Sequence, residues 1–492
     1  MILNAPLFAT ILPGIFGIII YSARRYTGKL AGLIATIVAA ASFFLILSMT
    51  NPVVDVYNNG GYPFILVYPW LGAMDINFSF LIDMISFPIG STIALISTLS
   101  CLYSVKYMEK EAHQASYYAN LLIFMTGMIG VIFSSNLIQF YIFWELTLIP
   151  SYLLIVQMSR SAKRLSVGFR YFIFTHMGAL SMLLGMLYVY SYAHTFDLVA
   201  LPSKSSSIPA TMTTVIFVLL LLGFLVKIAA FPLHTWLPDA YSEAPMPVAA
   251  MLSGAMANCG AYGFVRIIFP ILSQSMSQAS DYLLIIGIAT ILYGGLIAFS
   301  QADIGRMLAY SSISQMGYII FGFGTVSPLG IMGSLLHIVS HAFAKSLLFL
   351  CAGSMIRQTG TRNMRRMSGL MSRMPVTGFA FLIGALSLAG IPPLNAFWSE
   401  WMIFAGGLAS GKTALTFVGV AASMITPIYF LWFSLKVLFG IPRKGLQAAE
   451  APMPLLLPIV ILTSICIILG IWPGLMLQFI TPAARLFSLI PP

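Results

Sequence analysis

Six of the ionisable side chains inside long apolar stretches of this 492-residue sequence are candidates for chemistry. They are Glu145, Lys227, His337, His341, Lys345 and Glu400. An ionisable group near the centre of a membrane-spanning helix costs about 2.5–3.5 kcal/mol on insertion scales, so each position calls for a reason. Acids, amines and imidazoles in series are the groups that a proton relay uses, because histidine titrates near neutrality. The residue types therefore indicate proton transfer through a membrane.

The spacing of these residues adds two details. His337, His341 and Lys345 recur every four residues, which places all three on one face of a helix. A carboxylate beside an amine acts as a switch, because a change of protonation on one partner alters the proton affinity of the other. We expect Glu145 and Lys227 to form such a pair, whose separation gates a half-channel.

Each of these positions also has a purely structural interpretation. A single buried glutamate or lysine is explained by a structural ion pair, and His337 is explained by packing with its hydrogen bonds satisfied. His176 is isolated from the other ionisable residues, and we interpret it as structural. The complete set lies around two apolar stretches that prolines interrupt, and it is harder to explain by structure alone.

Charged residues near the predicted helix ends are expected to serve structure. Asp239 and Glu243 lie near a loop with two prolines, which favours solvated helix-end roles over proton conduction. Asp303 and Arg306 are three residues apart and are expected to pair at a helix entrance. Arg266, at the end of an apolar run, is expected to extend to the lipid headgroups.

The composition sets the class of protein. Hydrophobic residues make up 59% of the chain and charged residues 8%, whereas a soluble protein has about 25% charged residues. Apolar runs of about 20 residues recur throughout, and each is long enough to cross a bilayer. Soluble enzymes, coiled coils, disordered chains and collagen-like fibres are excluded, and so is an outer-membrane barrel, whose strands alternate apolar and polar residues.

The net charge is +11, and the distribution of the basic residues along the chain indicates the orientation in the membrane. Sixteen of the 24 basic residues lie in a few short segments between apolar runs: Arg24, Arg25, Lys29, Lys106, Lys110, Arg160, Lys163, Arg164, Arg170, Arg357, Arg362, Arg365, Arg366, Arg373, Arg443 and Lys444. This asymmetry follows the positive-inside rule. We therefore expect no nucleic-acid partner.

The four cysteines are scattered singly through apolar sequence: Cys101, Cys259, Cys351 and Cys466. Their spacing signals neither an iron–sulfur cluster nor a zinc site. No Rossmann or P-loop glycine pattern appears. We expect this chain to carry no metal, redox cofactor or nucleotide, and no catalytic redox residue.

The apolar runs predict an all-α polytopic membrane protein with about 14 transmembrane helices. Their predicted bounds are 5–22, 29–49, 78–104, 117–134, 136–158, 167–193, 211–241, 246–273, 281–300, 304–325, 328–357, 374–408, 412–440 and 453–480. The basic loops then all follow odd-numbered helices. Both termini are expected outside the plasma (inner) membrane.

Helices 7 and 12 are predicted to break at Phe231-Pro232 and at Gly390-Ile391-Pro392-Pro393, because proline removes a backbone donor and clashes with the preceding turn. Paired broken helices in two halves point to inverted repeats with sites near the midplane. We predict four segments: helices 1–3 (1–114), a first five-helix repeat (115–273), a second inverted repeat (274–440) and helix 14 (441–492).

Several motifs in 115–440 resemble one family. The stretches are Phe231-Pro232-Leu233-His234-Thr235-Trp236-Leu237-Pro238-Asp239-Ala240 with Glu243-Ala244-Pro245, Phe143-Trp144-Glu145, His341-Ala342-Phe343-Ala344-Lys345, and Gly390-Ile391-Pro392-Pro393 with Ser399-Glu400. They look like the signatures of the antiporter-like subunits of respiratory complex I. The glutamate after the helix-12 break favours the chain M (subunit 4) type.

The resemblance implies fourteen helices and a set of proton-translocating positions. Those positions are Glu145, Lys227, His341, Lys345 and Glu400. His234 and His337 are similar to polar residues that line the central axis of such subunits. The family usually has a lysine in helix 8 where this chain has Asn258, a possible relay position that can hydrogen-bond water but cannot carry the proton. Helix 10 often begins Asp-x-Lys-Arg, and here it reads Asp303-Ile304-Gly305-Arg306.

The resemblance implies a proton-translocating membrane-arm subunit of a complex I-like oxidoreductase, which oxidises NADH, deazaflavin or ferredoxin, or of an energy-converting hydrogenase. Iron–sulfur clusters with flavin or Ni–Fe are then expected in partner subunits. The expected partners are other antiporter-like and small membrane subunits, a hydrophilic redox arm and membrane lipids. The alternative is a subunit of a multisubunit Na⁺/H⁺ antiporter driven by ion gradients. A purely structural anchor would have no need of buried charges.

Overall fold

The computed structural model describes residues 4–58, 64–72, 76–159, 161–442 and 448–485. Its principal helices are α1 Ala5–Ser22, α2 Ala31–Asn58, α3 Ser86–Tyr107, α4 Gln114–Phe133, α5 Leu137–Met158, α6 Arg164–Ala193, α7 Ala210–Ile228 with Leu237–Glu243, α8 Met246–Ile271, α9 Ser273–Ser300, α10 Ile304–Gly324, α11 Pro328–Thr359, α12 Pro375–Leu388 with Asn395–Ala409, α13 Thr413–Leu438, α14 Met453–Ile471 and α15 Gly474–Arg485. Twelve helices in this part of the chain are long and apolar enough to cross a membrane. The number fourteen and the two inverted repeats stay predictions.

A two-stranded hairpin precedes α3. Strand β1 (Phe64–Leu71) pairs antiparallel with β2 (Ile76–Ile82). The prediction that helix 3 begins at 78 was therefore wrong. Apolar and polar residues alternate at the start of β2, which is the period of a strand, and the carboxylate of Asp83 then accepts hydrogen bonds from the backbone N–H groups of Ile85 and Ser86 at the start of α3.

The predicted break in α7 is confirmed. Its first half ends beside Ala229, which has a left-handed conformation with φ 58°. The second half begins at Leu237. The indole nitrogen of Trp236 donates to the carbonyl oxygen of Val226 over 3.0 Å, so the two halves remain tied together across the gap.

The predicted break in α12 is also confirmed, between Leu388 and Asn395. Gly390 lies in this gap with φ 66°, a conformation that favours glycine. Helix α14 covers one side of the gap, where the indole nitrogen of Trp398 donates to the carbonyl oxygen of Gly470 over 2.7 Å.

Helices α8 and α11 form the centre of the bundle, and their apolar spans are 100% buried. Helix α8 contains two π-helical stretches, Leu252–Met256 and Phe264–Ile268, which are frequent at functional sites. By contrast, the spans of α1, α2 and α6 are only 39% buried. Polar groups on α8 and α11 are therefore shielded from lipid by the surrounding helices.

Arg266 does not extend to the lipid headgroups as the sequence suggested. Its guanidinium lies 2.7 Å from the carboxylate of Asp83, and its Nε donates to the hydroxyl of Tyr262 over 2.9 Å. The Arg266 and Asp83 side chains are only 11% and 14% exposed. A charge-assisted hydrogen bond to a nearby acid is stronger than a neutral one, and the loop before α3 brings that acid within reach.

The expected side-chain pair of Asp303 and Arg306 is also not formed. One oxygen of Asp303 accepts the backbone N–H of Arg306 over 2.9 Å as a helix N-cap, and the other pairs with Arg362 at 3.2 Å. The Arg306 side chain instead contacts Asp239 at 3.1 Å, as does Arg170 at 3.1 Å. Capping points the carboxylate at its own backbone, so the arginine turns to the neighbouring helix.

Asp239 and Glu243 thus bind protein groups at the helix ends as well as lying near the surface. The hydroxyl of Ser159 donates to Glu243 over 2.7 Å. Three of the basic loop positions, Arg160, Arg443 and Lys444, lie outside the described residues, and so does the side chain of Lys29.

Candidate functional site

Lys227 lies at the end of the first half of α7 and is 2% exposed. Its ammonium donates to the hydroxyl oxygen of Thr147 over 2.8 Å and lies 5.0 Å from the ring centroid of Trp144. Both residues belong to α5. The Thr147 hydroxyl itself donates to the Trp144 carbonyl over 2.7 Å, so its oxygen is turned to accept from the lysine.

Glu145 on α5 has a different partner from the one predicted. One oxygen of its carboxylate lies 3.1 Å from Nδ1 of His176 on α6, and the other is buried without a hydrogen-bond partner. No ion pair joins Glu145 to Lys227 within the described chain, so the predicted pair is not formed in this structure. His176, interpreted from the sequence as isolated, is the direct neighbour of the carboxylate.

His234 lies in the gap of α7 and is 4% exposed. Its ring stacks on Phe231 at 5.7 Å and contacts Tyr293 of α9 at 4.5 Å between ring centroids. Its Nδ1 is buried and has no hydrogen-bond partner among the described residues. The histidine is thus held by aromatic contacts with one nitrogen available.

Asn258 lies on α8, between its two π-helical stretches, and is 1% exposed. Its amide nitrogen donates to the carbonyl oxygens of Gly254 over 2.8 Å and of Ile338 over 3.1 Å. Ile338 belongs to α11, so this side chain joins the two central helices. The amide oxygen is buried and unpartnered within the described chain.

His337 is fully buried on α11 and uses both ring nitrogens. Nδ1 lies 2.9 Å from the hydroxyl of Ser399, and Nε2 lies 3.1 Å from the side-chain oxygen of Gln315. The ring stacks on Tyr318 at 5.5 Å. It therefore connects α10 and the second half of α12 by hydrogen bonds.

His341 and Lys345 continue the same face of α11, and both are fully buried. Neither ring nitrogen of His341 has a hydrogen-bond partner in the described chain, although its ring centroid lies 6.3 Å from that of His337. Lys345 donates to the carbonyl of Leu308 over 3.2 Å and to the hydroxyl of Ser311, both on α10. The sequence prediction of one shared face is confirmed.

Glu400 lies in the second half of α12 and is 9% exposed. One of its carboxylate oxygens has no hydrogen-bond partner among the described residues. The other lies against Gly390, where an added Cβ would be 2.6 Å from it. The glycine therefore serves both the backbone conformation and the space that the carboxylate occupies.

Four polar neighbours were not identified as site residues from the sequence. They are Thr147, His176, Gln315 and Ser399. Gln315 follows Ser311, Ser312 and Ser314 on α10, and this polar stripe inside an apolar helix was a usable signal. Thr147 and Ser399 are small hydroxyl residues with no signal of their own, because such residues are common in membrane helices.

The helix α8 joins the two groups of buried residues. An added Cβ at its Gly260 would lie 3.2 Å from the Cβ of Lys227, and one at its Gly254 would overlap the Ser346 hydroxyl of α11. Glu145, His234, Asn258, His341 and Glu400 each have a buried side-chain atom without a hydrogen-bond partner in the described chain. Each such atom costs about 1–3 kcal/mol unless it is hydrated. No group of three or more His, Cys, Asp or Glu that suits a metal ion occurs in the described ranges.

Comparison with known proteins identifies the family. Residues 134–426 match the family described as NADH:quinone oxidoreductase/Mrp antiporter, TM. The chain belongs to this family of antiporter-like membrane subunits. Residues 69–118 also match the family described as NADH-Ubiquinone oxidoreductase (complex I), chain 5 N-terminus. The resemblance drawn from the sequence motifs is therefore confirmed.

Three relatives illustrate the range of complexes that use such antiporter-like subunits. The chain is 31% identical to the NADH-quinone oxidoreductase subunit M of Rickettsia felis over 78% of this chain and 77% of that one. It is 33% identical to the F(420)H(2) dehydrogenase subunit M of Methanosarcina mazei, with 77% of each chain covered. A chain of respiratory complex I from Thermus thermophilus with bound NADH superposes with a TM-score of 0.88 at 25% identity, covering 100% of this chain and 99% of that chain.

Proposed function

We propose that this antiporter-like subunit translocates protons within a complex I-like oxidoreductase, where redox chemistry in other subunits drives the movement. The observation that carries the proposal is the set of buried, titratable and partly unpartnered groups on α7, α8, α11 and α12, among them Lys227, His341 and Glu400. A scaffold would not need them, because each buried charge or unsatisfied polar atom lowers stability. The named relatives, which are oxidoreductase subunits, support the redox-driven version.

Each side chain has a role that follows from its contacts. Lys227 moves between the neutral hydroxyl of Thr147 and the carboxylate of Glu145, which has one oxygen available. His234 and the amide of Asn258 hold water at the step where no titratable group bridges α7 and α11. His341 and Lys345 exchange protons along α11, and His337 positions the adjoining part of α12.

Glu400 is the last of these groups in the sequence and passes the proton outward or to a neighbouring subunit. Its carboxylate has an unpartnered oxygen and lies in the gap of α12. Freed backbone groups at such a gap require a polar or water-filled surrounding. The chain itself then works without a redox centre, and the directional step is the movement of Lys227.

The proposal extends to partners and location. Iron–sulfur clusters with flavin or Ni–Fe would lie in a hydrophilic arm, and other antiporter-like and small membrane subunits would flank this chain. The electron donor of the complex would be NADH, reduced deazaflavin, ferredoxin or the substrate of an energy-converting hydrogenase. The chain would lie in the plasma membrane with its basic loops inside and both termini outside.

Purification of the tagged chain in mild detergent tests this function. We expect iron–sulfur and flavin or nickel proteins to copurify, and mass spectrometry identifies them. The reduced-minus-oxidised absorbance spectrum of the preparation should show their cofactors. A preparation that contains only small membrane subunits and shows no redox spectrum would contradict the redox-driven version. The cofactors found would also name the class of electron donor.

A second candidate function is a subunit of a multisubunit Na⁺/H⁺ antiporter. The family description, which includes Mrp antiporters, favours it. The buried groups would then exchange protons against sodium without redox chemistry. Sodium-dependent acidification of vesicles that contain the purified assembly, without any electron donor, would support this candidate.

A further inference from the structure

The partner of Glu145 lies on the outer side of the bundle. His176 on α6 places Nδ1 3.1 Å from the Glu145 carboxylate, and the two side chains are 37% and 23% exposed. Lys227, by contrast, is 2% exposed. The histidine therefore stands between the buried lysine site and the lateral face of the bundle.

We propose that His176 exchanges protons with Glu145 and holds its carboxylate while Lys227 is held by Thr147. This inference rests on the proposed proton-translocating function and adds a residue to its first step. The proton leaves Nδ1 of the imidazolium and bonds to the carboxylate oxygen of Glu145, so that an ion pair becomes a neutral pair. No net charge is created or lost at the pair, which suits a site close to hydrocarbon.

The membrane position argues against a merely structural contact. Partly exposed histidine and glutamate side chains on membrane-spanning helices carry a free-energy cost. An apolar contact would join α5 to α6 without that cost. An imidazole is the one side chain that ordinarily changes charge near neutral pH. The contact therefore places a possible proton donor against the carboxylate.

The contacts of Lys227 complete the argument. Thr147 follows Glu145 by two residues on α5 and accepts the ammonium over 2.8 Å. One oxygen of Glu145 has no partner in the described chain. That oxygen is therefore available to Lys227 while Nδ1 of His176 holds the other one.

Other groups face this pair from each neighbouring element. Tyr141, one turn earlier on α5, and Tyr171 on α6 interact electrostatically with Glu145, and so does Lys227 on α7. On α6 itself, the ring of Phe172 stacks on that of His176 at 5.6 Å and 23°. Tyr141, Tyr171 and Lys227 are unchanged in both His176→Asn and Met177→Asn, so a change specific to His176 is separable from their contributions.

The test compares His176→Asn with Met177→Asn in the intact complex. Asparagine can donate from the place of Nδ1 but cannot exchange the proton near neutral pH. Met177 is the next residue on α6 and is 66% exposed, so its variant controls for a polar amide on the outer face. Proton uptake and electron transfer are followed over a range of pH, with a pH-sensitive dye inside vesicles.

We expect His176→Asn to lower the rate of proton uptake through this subunit by about tenfold or more, since positioned acid–base groups contribute 10²–10⁴-fold to rates, and to change the pH profile of uptake. The Met177→Asn variant should retain the wild-type proton uptake and the wild-type pH profile. Wild-type uptake in His176→Asn, or reduced uptake with an unchanged pH profile, would overturn the inference. If the Glu145→Gln and Lys227→Met variants also pump normally, the proposed function itself fails. If these two variants do not pump and the His176→Asn variant pumps normally, only this inference fails.

Discussion

Gly390→Ala separates two effects of one methyl group in the α12 gap. The first is backbone strain, because φ is 66° and a left-handed conformation costs a non-glycine residue about 1–2 kcal/mol. The second is a contact, because the new Cβ would lie 2.6 Å from a carboxylate oxygen of Glu400, where ordinary contacts begin at 3.4 Å. The carboxylate is the flexible partner, so it must move by about 0.8 Å, the difference between these distances.

Gly360→Ala is the matched control, because Gly360 has φ 68° and nothing within 4 Å of an added Cβ. We expect both variants to lower the thermal unfolding midpoint of the purified complex by a similar amount. Only Gly390→Ala should also lower the rate of proton uptake through this subunit, by about tenfold or more, since a 1 Å misplacement near a reacting group costs up to 10²-fold in rate. The assay is dye-monitored uptake in vesicles, with electron transfer measured in parallel.

Two results would refute this reasoning. If Gly390→Ala pumps as well as Gly360→Ala, the position of the Glu400 carboxylate does not matter for transfer. If Gly390→Ala lowers the unfolding midpoint far more than the control and the complex does not assemble, the glycine serves packing of the gap and not the carboxylate.

Three further predictions follow from the contacts. Glu145→Gln and Lys227→Met should each abolish most coupled pumping while native gels show an assembled complex; a variant that pumps normally would assign its residue a structural role. Asn258→Leu should lower proton uptake severalfold because it removes the unpartnered amide oxygen, whereas unchanged uptake would show that no water is held there. Asp83→Asn should destabilise the fold by about 3–5 kcal/mol, since it leaves the nearly buried Arg266 without its charged partner, as measured by thermal unfolding against the wild type; an unshifted midpoint would show that the pair contributes nothing.

The membrane class, most helix positions and the two helix breaks were predicted from the sequence. Hydropathy sums over local residues, and proline acts on its own turn, so both signals survive without knowledge of distant contacts. The common face of His337, His341 and Lys345 follows from the helical period in the same way. The hairpin was missed because an apolar strand of seven residues reads as the beginning of the helix that follows it.

The identity of each partner was decided by the tertiary structure. Glu145 contacts His176 on α6, and Arg266 contacts Asp83 from 183 residues away. Lys227 binds the hydroxyl of Thr147. A chain inserts helix by helix according to its local apolar content, but partner choice depends on how helices far apart in sequence rotate and pack. The sequence by itself therefore determined which groups are buried, and only the packing of the helices decided which of them meet.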